Sequence, residues 1–154
     1  MSINYGKKFE ERFKKDWVAS TGGIIIRLFD NTSGYLSISN ISDFICYKYP
    51  NIFFIECKSH KGASIPIEKI TQYNKLITMS NILGVRSGVV LWLYEKDKVL
   101  YVPATTLQKL LLDGEKSVGV RHLETENIIE IPSKKLRVFM ESDYSVLLSL
   151  QEGD

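Results

Sequence analysis

Asp43-Phe44-Ile45-Cys46-Tyr47, the turn Tyr49-Pro50-Asn51, and Ile52-Phe53-Phe54-Ile55-Glu56-Cys57-Lys58 are the segments whose reading decides the fold. Two apolar runs flank a proline turn, which predicts a β-hairpin at the centre of a sheet. Side chains alternate along a strand, so Phe54, Glu56 and Lys58 share one face while Phe53, Ile55 and Cys57 share the other. If the hairpin turns about Tyr49-Pro50, residues whose numbers add to 99 face each other, and Asp43 lies opposite Glu56. Directly opposed residues have Cβ atoms about 5 Å apart. Two carboxylates that close repel unless something positive stands between them. A hard divalent cation, Mg²⁺ or Mn²⁺, prefers oxygen ligands and suits the gap. Lys58 then stands beside it, one strand step beyond Glu56.

The rest of the chain supplies a fourth candidate. Tyr5, Phe9, Phe13 and Trp17 recur every four residues and predict an amphipathic opening helix, ended by Thr21-Gly22-Gly23. Glu10 follows the i, i+3, i+7 pattern with Phe13 and Trp17, at the border of the apolar stripe. Glu11 falls with Lys7 and Lys15 on the solvent side. Glu10 is therefore the helix carboxylate placed to reach over the sheet.

Further along, residues 23–28 predict a buried strand, residues 31–40 a loop, and residues 59–66 a second loop leading into a helix over 68–80. Residues 88–94 and 99–102 form a second hairpin, and 105–112 a short helix stopped by Asp113-Gly114. Short strands follow near 118–120 and 128–131, then a closing helix over 143–150 capped by Asp143. No repeat, linker or low-complexity segment divides the 154 residues. The expectation is one α/β domain, a central mixed sheet flanked by helices.

Composition excludes more than it identifies. A net charge of +2 permits DNA binding without arguing for it. No apolar run is long enough to span a bilayer, and no apolar stretch follows the N-terminal lysines, so neither membrane insertion nor a signal peptide is expected. Cys46 and Cys57 each sit in an apolar segment, match no zinc or iron–sulfur spacing, and point to a reducing, cytoplasmic setting. With only His60 and His122 present, no Ser-His-Asp or Cys-His arrangement competes, and no Gly-rich phosphate loop is found.

The acid–acid–lysine set suits phosphodiester hydrolysis. A divalent ion lowers the pKa of bound water, and an adjacent lysine stabilises phosphate charge or helps position the water. Taken singly, Asp43 could be an ordinary strand-start aspartate and Glu56–Lys58 a solvated pair. Their joint placement with Glu10 favours a site. Arg27, ending an apolar strand, wants an anion: a phosphate or Asp30.

Asp43, then Glu56-Cys57-Lys58, resembles the D…(D/E)xK core of the restriction-endonuclease-like (PD-(D/E)XK) superfamily. Glu56-Cys-Lys-Ser-His-Lys-Gly-Ala-Ser-Ile-Pro-Ile67, followed by Gln72, is similar to the signature of RecU-type Holliday junction resolvases, as is the opening Gly6-Lys-Lys-Phe-Glu10. The resemblance implies a restriction-endonuclease-like core in which Asp43, Glu56 and the Cys57 backbone carbonyl hold Mg²⁺ or Mn²⁺. Lys58 becomes the catalytic lysine and Glu10 the accessory acid. Lys61, Gln72, Ser64, His60 and Arg27 lie toward the DNA. The implied activity is paired nicking of four-way DNA junctions by a homodimer, in a bacterial or phage-infected host cytoplasm. RecU proteins carry a long basic projection before the catalytic aspartate. Here only residues 22–42 stand in its place, with Arg27 the sole basic residue, as in a short, phage-type member. A restriction-like or repair nuclease, and a non-catalytic DNA-binding recombination accessory protein, remain open at this point.

Overall fold

The computed structural model describes residues 3–29 and 40–150. Helix α1 (Tyr5–Thr21) opens the chain, with Asn4 accepting from the Lys7 N–H at 3.1 Å and Gly22 closing it in a left-handed conformation at φ 68°. Its stripe of Phe9, Phe13 and Trp17 is buried, because those residues recur once per turn on one side.

Six strands make the central sheet: β1 (Ile24–Arg27), β2 (Phe44–Lys48), β3 (Asn51–His60), β5 (Val85–Leu93), β6 (Lys98–Pro103) and β8 (Ile129–Glu130), adjacent in that order. Strands β3 and β5 are parallel and every other neighbouring pair is antiparallel. The parallel pair follows from α2 (Tyr73–Ser80), which lies in the crossover between them. Helix α3 (Ala104–Leu112) leaves β6 and packs on the same side as α2. On the opposite face lie α1, the two-stranded ribbon β9 (Ser133–Lys135) with β10 (Met140–Ser142), and a closing 3₁₀ segment, Tyr144–Ser149.

The β2–β3 register is the one the turn predicts: Phe44 faces Ile55, Cys46 faces Phe53 and Tyr47 faces Ile52. The alternation holds as well, with Phe53, Ile55 and Cys57 buried against α1. Cys46 and Cys57 are both buried and unlinked.

Several expectations need correction. The strand over 23–28 is not buried but forms the sheet's edge, with Ile24 62% and Ile26 52% exposed. An isoleucine run reads as interior whether or not anything covers it. The loop over 59–66 is largely strand: β3 runs on to His60, and Ser64–Pro66 forms β4, paired with β7 (Ser117–Gly119). The helix over 68–80 begins only at Tyr73, after a separate 3₁₀ turn at Ile67–Lys69. The closing helix is present as expected, a 3₁₀ helix over Tyr144–Ser149, and Asp143 caps it, accepting from the Ser145 N–H at 2.9 Å. Residues 31–39 of the expected loop lie outside the described residues.

Candidate active site

The site sits where β2 begins and β3 continues past it. Beyond Phe44, β2 offers β3 no further strand partner, so the Cys57 N–H donates instead to Asp43 Oδ2 at 2.9 Å. A strand residue's N–H and C=O leave by the same edge, so the Cys57 carbonyl also opens toward Asp43. The free end of an otherwise apolar hairpin thereby becomes polar.

Glu56 is 6% exposed, buried as deeply as its hydrophobic neighbours. Burial pushes its carboxyl up to about 8, and the adjacent Asp43 charge pushes the same way against the opposing pull of Lys58. Lys58 Nζ stands 3.8 Å from Glu56 Oε1. Asp43 is likewise raised, chiefly by burial and further by the charge of Glu10; the Cys57 N–H, Arg27 and Lys58 oppose the shift. Two buried carboxylates with raised proton affinity, Glu56 raised in part by the Asp43 charge, are short of positive charge.

Glu10 meets this cluster through Arg27. From the end of β1, Arg27 Nη1 lies 3.0 Å from Glu10 Oε1 and 3.9 Å from Asp43 Oδ1. Its guanidinium stacks over the Phe44 ring at 5.1 Å. Although Nη1 is buried and close to Glu10, its geometry is that of an ion pair rather than a directed hydrogen bond. The anion that Arg27 finds is therefore Glu10; Asp30 lies outside the described residues. This bridge was the part not legible from spacing, since it needs β1 and α1 to be placed together.

The four acid and lysine candidates thus converge. The others are placed more loosely. Lys61 is exposed in the turn after β3, Ser64 is half-buried on β4, and Gln72 is half-buried at the start of α2. His60 ends β3, and its proton affinity is lowered by burial and by the charge of Lys69. No hydrogen bond or ion pair among the described residues joins these four to Asp43, Glu56 or Lys58.

The donor set fits a hard divalent cation. Mg²⁺ is commonly held by one or two carboxylates, with water and substrate phosphate completing its octahedron. No group of three or more His, Cys, Asp or Glu among the described residues forms a ready-made cage, and this ion does not require one. Asp43, Glu56 and the Cys57 carbonyl would hold it.

The sheet and its flanking helices resemble Hjc, a Holliday junction resolvase from the archaeal hyperthermophile Archaeoglobus fulgidus. The TM-score is 0.59, at 18% identity, over 79% of this chain and 93% of that one. The fold is restriction-endonuclease-like. No family model and no curated protein matches the sequence, so the likeness is one of architecture. The acidic cluster lies at the end of the β2–β3 pair, just past the last paired residues Phe44 and Ile55. No helix among the described residues is long and apolar enough to cross a membrane.

Proposed function

We propose that this protein is an Mg²⁺- or Mn²⁺-dependent DNA endonuclease that resolves four-way junctions by paired nicking. The observation that carries the reading is the convergence of Asp43, Glu56 and Lys58 at the open end of β2–β3, joined to Glu10 by Arg27. The resolvase fold of the archaeal neighbour supports it. The segment Glu56–Gln72 supports a RecU-like, short phage-type member, and paired cuts in related strands suit a homodimer.

Each residue has a task in this reading. Glu56 and Asp43 would supply carboxylate oxygens to the ion, and the Cys57 carbonyl a third. The bound ion would supply a water of lowered pKa and offset charge on the scissile phosphate. Lys58 directs its ammonium to the same phosphate and lessens its charge in the transition state. Arg27 holds Glu10 and Asp43 in place. Lys61, Ser64, His60 and Gln72 line the approach of the DNA backbone, and the exposed Lys61 contributes the non-specific, salt-sensitive part of binding.

A labelled four-way junction and a linear duplex of matched sequence, each incubated with and without Mg²⁺ or Mn²⁺, separate the readings. Symmetric nicks in the junction alone are expected. Equal cutting of both substrates replaces junction selectivity with a restriction-like or repair nuclease. Binding with no cleavage in either metal leaves an accessory DNA-binding role.

A further inference from the structure

A cavity of about 550 Å³ opens at the end of the sheet where β3 and β5 begin and β6 finishes. It is separate from the acidic cluster. Arg86 in its wall faces Phe53, whereas Glu56 stands three residues further along β3, roughly 10 Å away along the strand. Ile82, Leu83 and Leu150 give the cavity apolar walls, and Asn51 and Asn81 add amide groups. Arg86 is the one charged side chain among the described residues that line it.

Arg86 is half-buried and short of partners. Its Nη2 donates to the Leu150 carbonyl at 2.9 Å, its Nε is buried without a hydrogen bond, and no carboxylate among the described residues pairs with it. Burying a guanidinium is costly unless an anion offsets it, and its planar fork fits an oxyanion with two parallel bonds. Two further donors stand nearby. The Tyr101 ring lies over Gly88, where a Cβ would come within 2.8 Å of its Cε2 and 3.0 Å of its Cζ. The Arg86 charge acts on the Tyr101 hydroxyl, against the effect of its burial. Helix α3 starts beside the cavity, with Pro103 and Thr105 in the wall and no side chain capping its first turn. Its first N–H groups remain open to an anion.

We propose that this cavity binds a small phosphate monoester, with the phosphate on Arg86 and Tyr101 and the body against Ile82, Leu83 and Leu150. A terminal phosphate carries three acceptor oxygens, enough to serve the guanidinium, the hydroxyl and the start of α3 together. A carboxylate has one fewer. The volume falls within the range of small-ligand sites, about 300–1,000 Å³, and suits a mononucleotide. A free mononucleotide and a 5′-phosphorylated DNA end share this chemistry. An internal phosphodiester does not, because the chain continues from both of its ester oxygens. The site stands on the cavity and its donors, not on the nuclease reading.

Calorimetric titration of the full chain with thymidine 5′-monophosphate tests the site, in EDTA so that no metal draws phosphate to the acidic cluster. A dissociation constant of about 1 mM or tighter is expected, with thymidine binding about tenfold or more weakly. Arg86→Met should weaken the monophosphate about tenfold or more, and Tyr101→Phe less. Lys58→Met, in the acidic cluster, should leave its affinity unchanged. Circular dichroism checks folding, and if Arg86→Met fails to fold, Arg86→Lys decides, since it keeps the charge and loses the fork. A trinucleotide with and without a 5′-phosphate separates the two sources. Phosphate-dependent binding of the trinucleotide supports a DNA end, and binding of the mononucleotide alone supports a free ligand. No binding of the monophosphate up to about 10 mM, an affinity equal to that of thymidine, or one that ignores the Arg86 substitutions and falls with Lys58→Met, overturns the inference. A chain that binds the monophosphate but cuts no DNA counts against the nuclease reading alone.

Discussion

Glu56 carries the tightest constraint at the scale of single residues, because its carboxylate is buried beside another acid. Its proton affinity in the folded protein, near pH 8, lies above the ordinary value of 4.5. The folded state therefore holds the proton more tightly than the unfolded chain, and stability present below about pH 4.5 is lost as pH rises toward 8. In metal-free buffer Glu56→Gln should remove most of that pH dependence and stabilise the fold at pH 8 by about 1–3 kcal/mol. Thermal melts of both proteins at pH 5 and pH 8 read this out. Arg27 and Glu10 permit a second test, since each is only about a quarter exposed. A double-mutant cycle with Arg27→Met and Glu10→Gln should show a coupling of about 1 kcal/mol in urea unfolding. A coupling of zero would mean that the bridge holds nothing in place. Asp43, Glu56, Lys58 and Glu10 were legible because strand alternation and helical spacing place them with simple arithmetic. The Arg27–Glu10 contact was not, since no periodicity relates a strand to a helix across the fold.

The ribbon β4–β7 is the element most exposed to a single substitution. It continues β3 past the site, and is tied by Val120 N–H to the Ala63 carbonyl at 3.0 Å and Ile67 N–H to the Lys116 carbonyl at 2.9 Å. Gly119 lies so close to this backbone that a Cβ would meet the Ala63 oxygen at 2.1 Å and the Ser64 Cα at 2.6 Å. The backbone of the paired Ala63–Ser64 segment cannot yield cheaply. Gly119→Ala should cost about 2 kcal/mol or more in chemical denaturation, and should weaken DNA binding if Ser64 and Lys61 line its path. The strands that sequence reading missed, β4, β9 and β10, have three residues each. Such segments lack the length for alternation to show. Their pairing comes from tertiary contacts, as when the buried Asp16 of α1 accepts from the Ser142 N–H at 2.9 Å and pairs with Arg12 at 3.0 Å. The β2–β3 hairpin was legible because five residues on each side of a tight turn determine a register.

At the scale of the molecule, the two cores on either face of the sheet are separate apolar clusters, one under α1 and one under α2 and α3. The site lies where both run out, at the end of β2–β3. That position explains how Asp43 can meet Arg27 and Glu10 on the α1 side while standing beside Glu56 in the row that faces α2. Fold class was readable from the alternation of elements. Sheet order was only partly readable, because nothing in an isoleucine run tells an edge from a centre, and β1 proved to be an edge. The central claim is that Asp43, Glu56 and Lys58 hydrolyse DNA with a divalent ion. Its most direct measurement is single-turnover cleavage of an end-labelled four-way junction across a Mg²⁺ titration, by the wild type and by Asp43→Asn. Cleavage that rises with Mg²⁺ in the wild type is expected, with a loss of at least about a thousandfold in the variant at unchanged junction affinity. A folded wild type that binds the junction yet cuts nothing at any Mg²⁺ concentration, or an Asp43→Asn variant that cuts at the wild-type rate, would contradict the account.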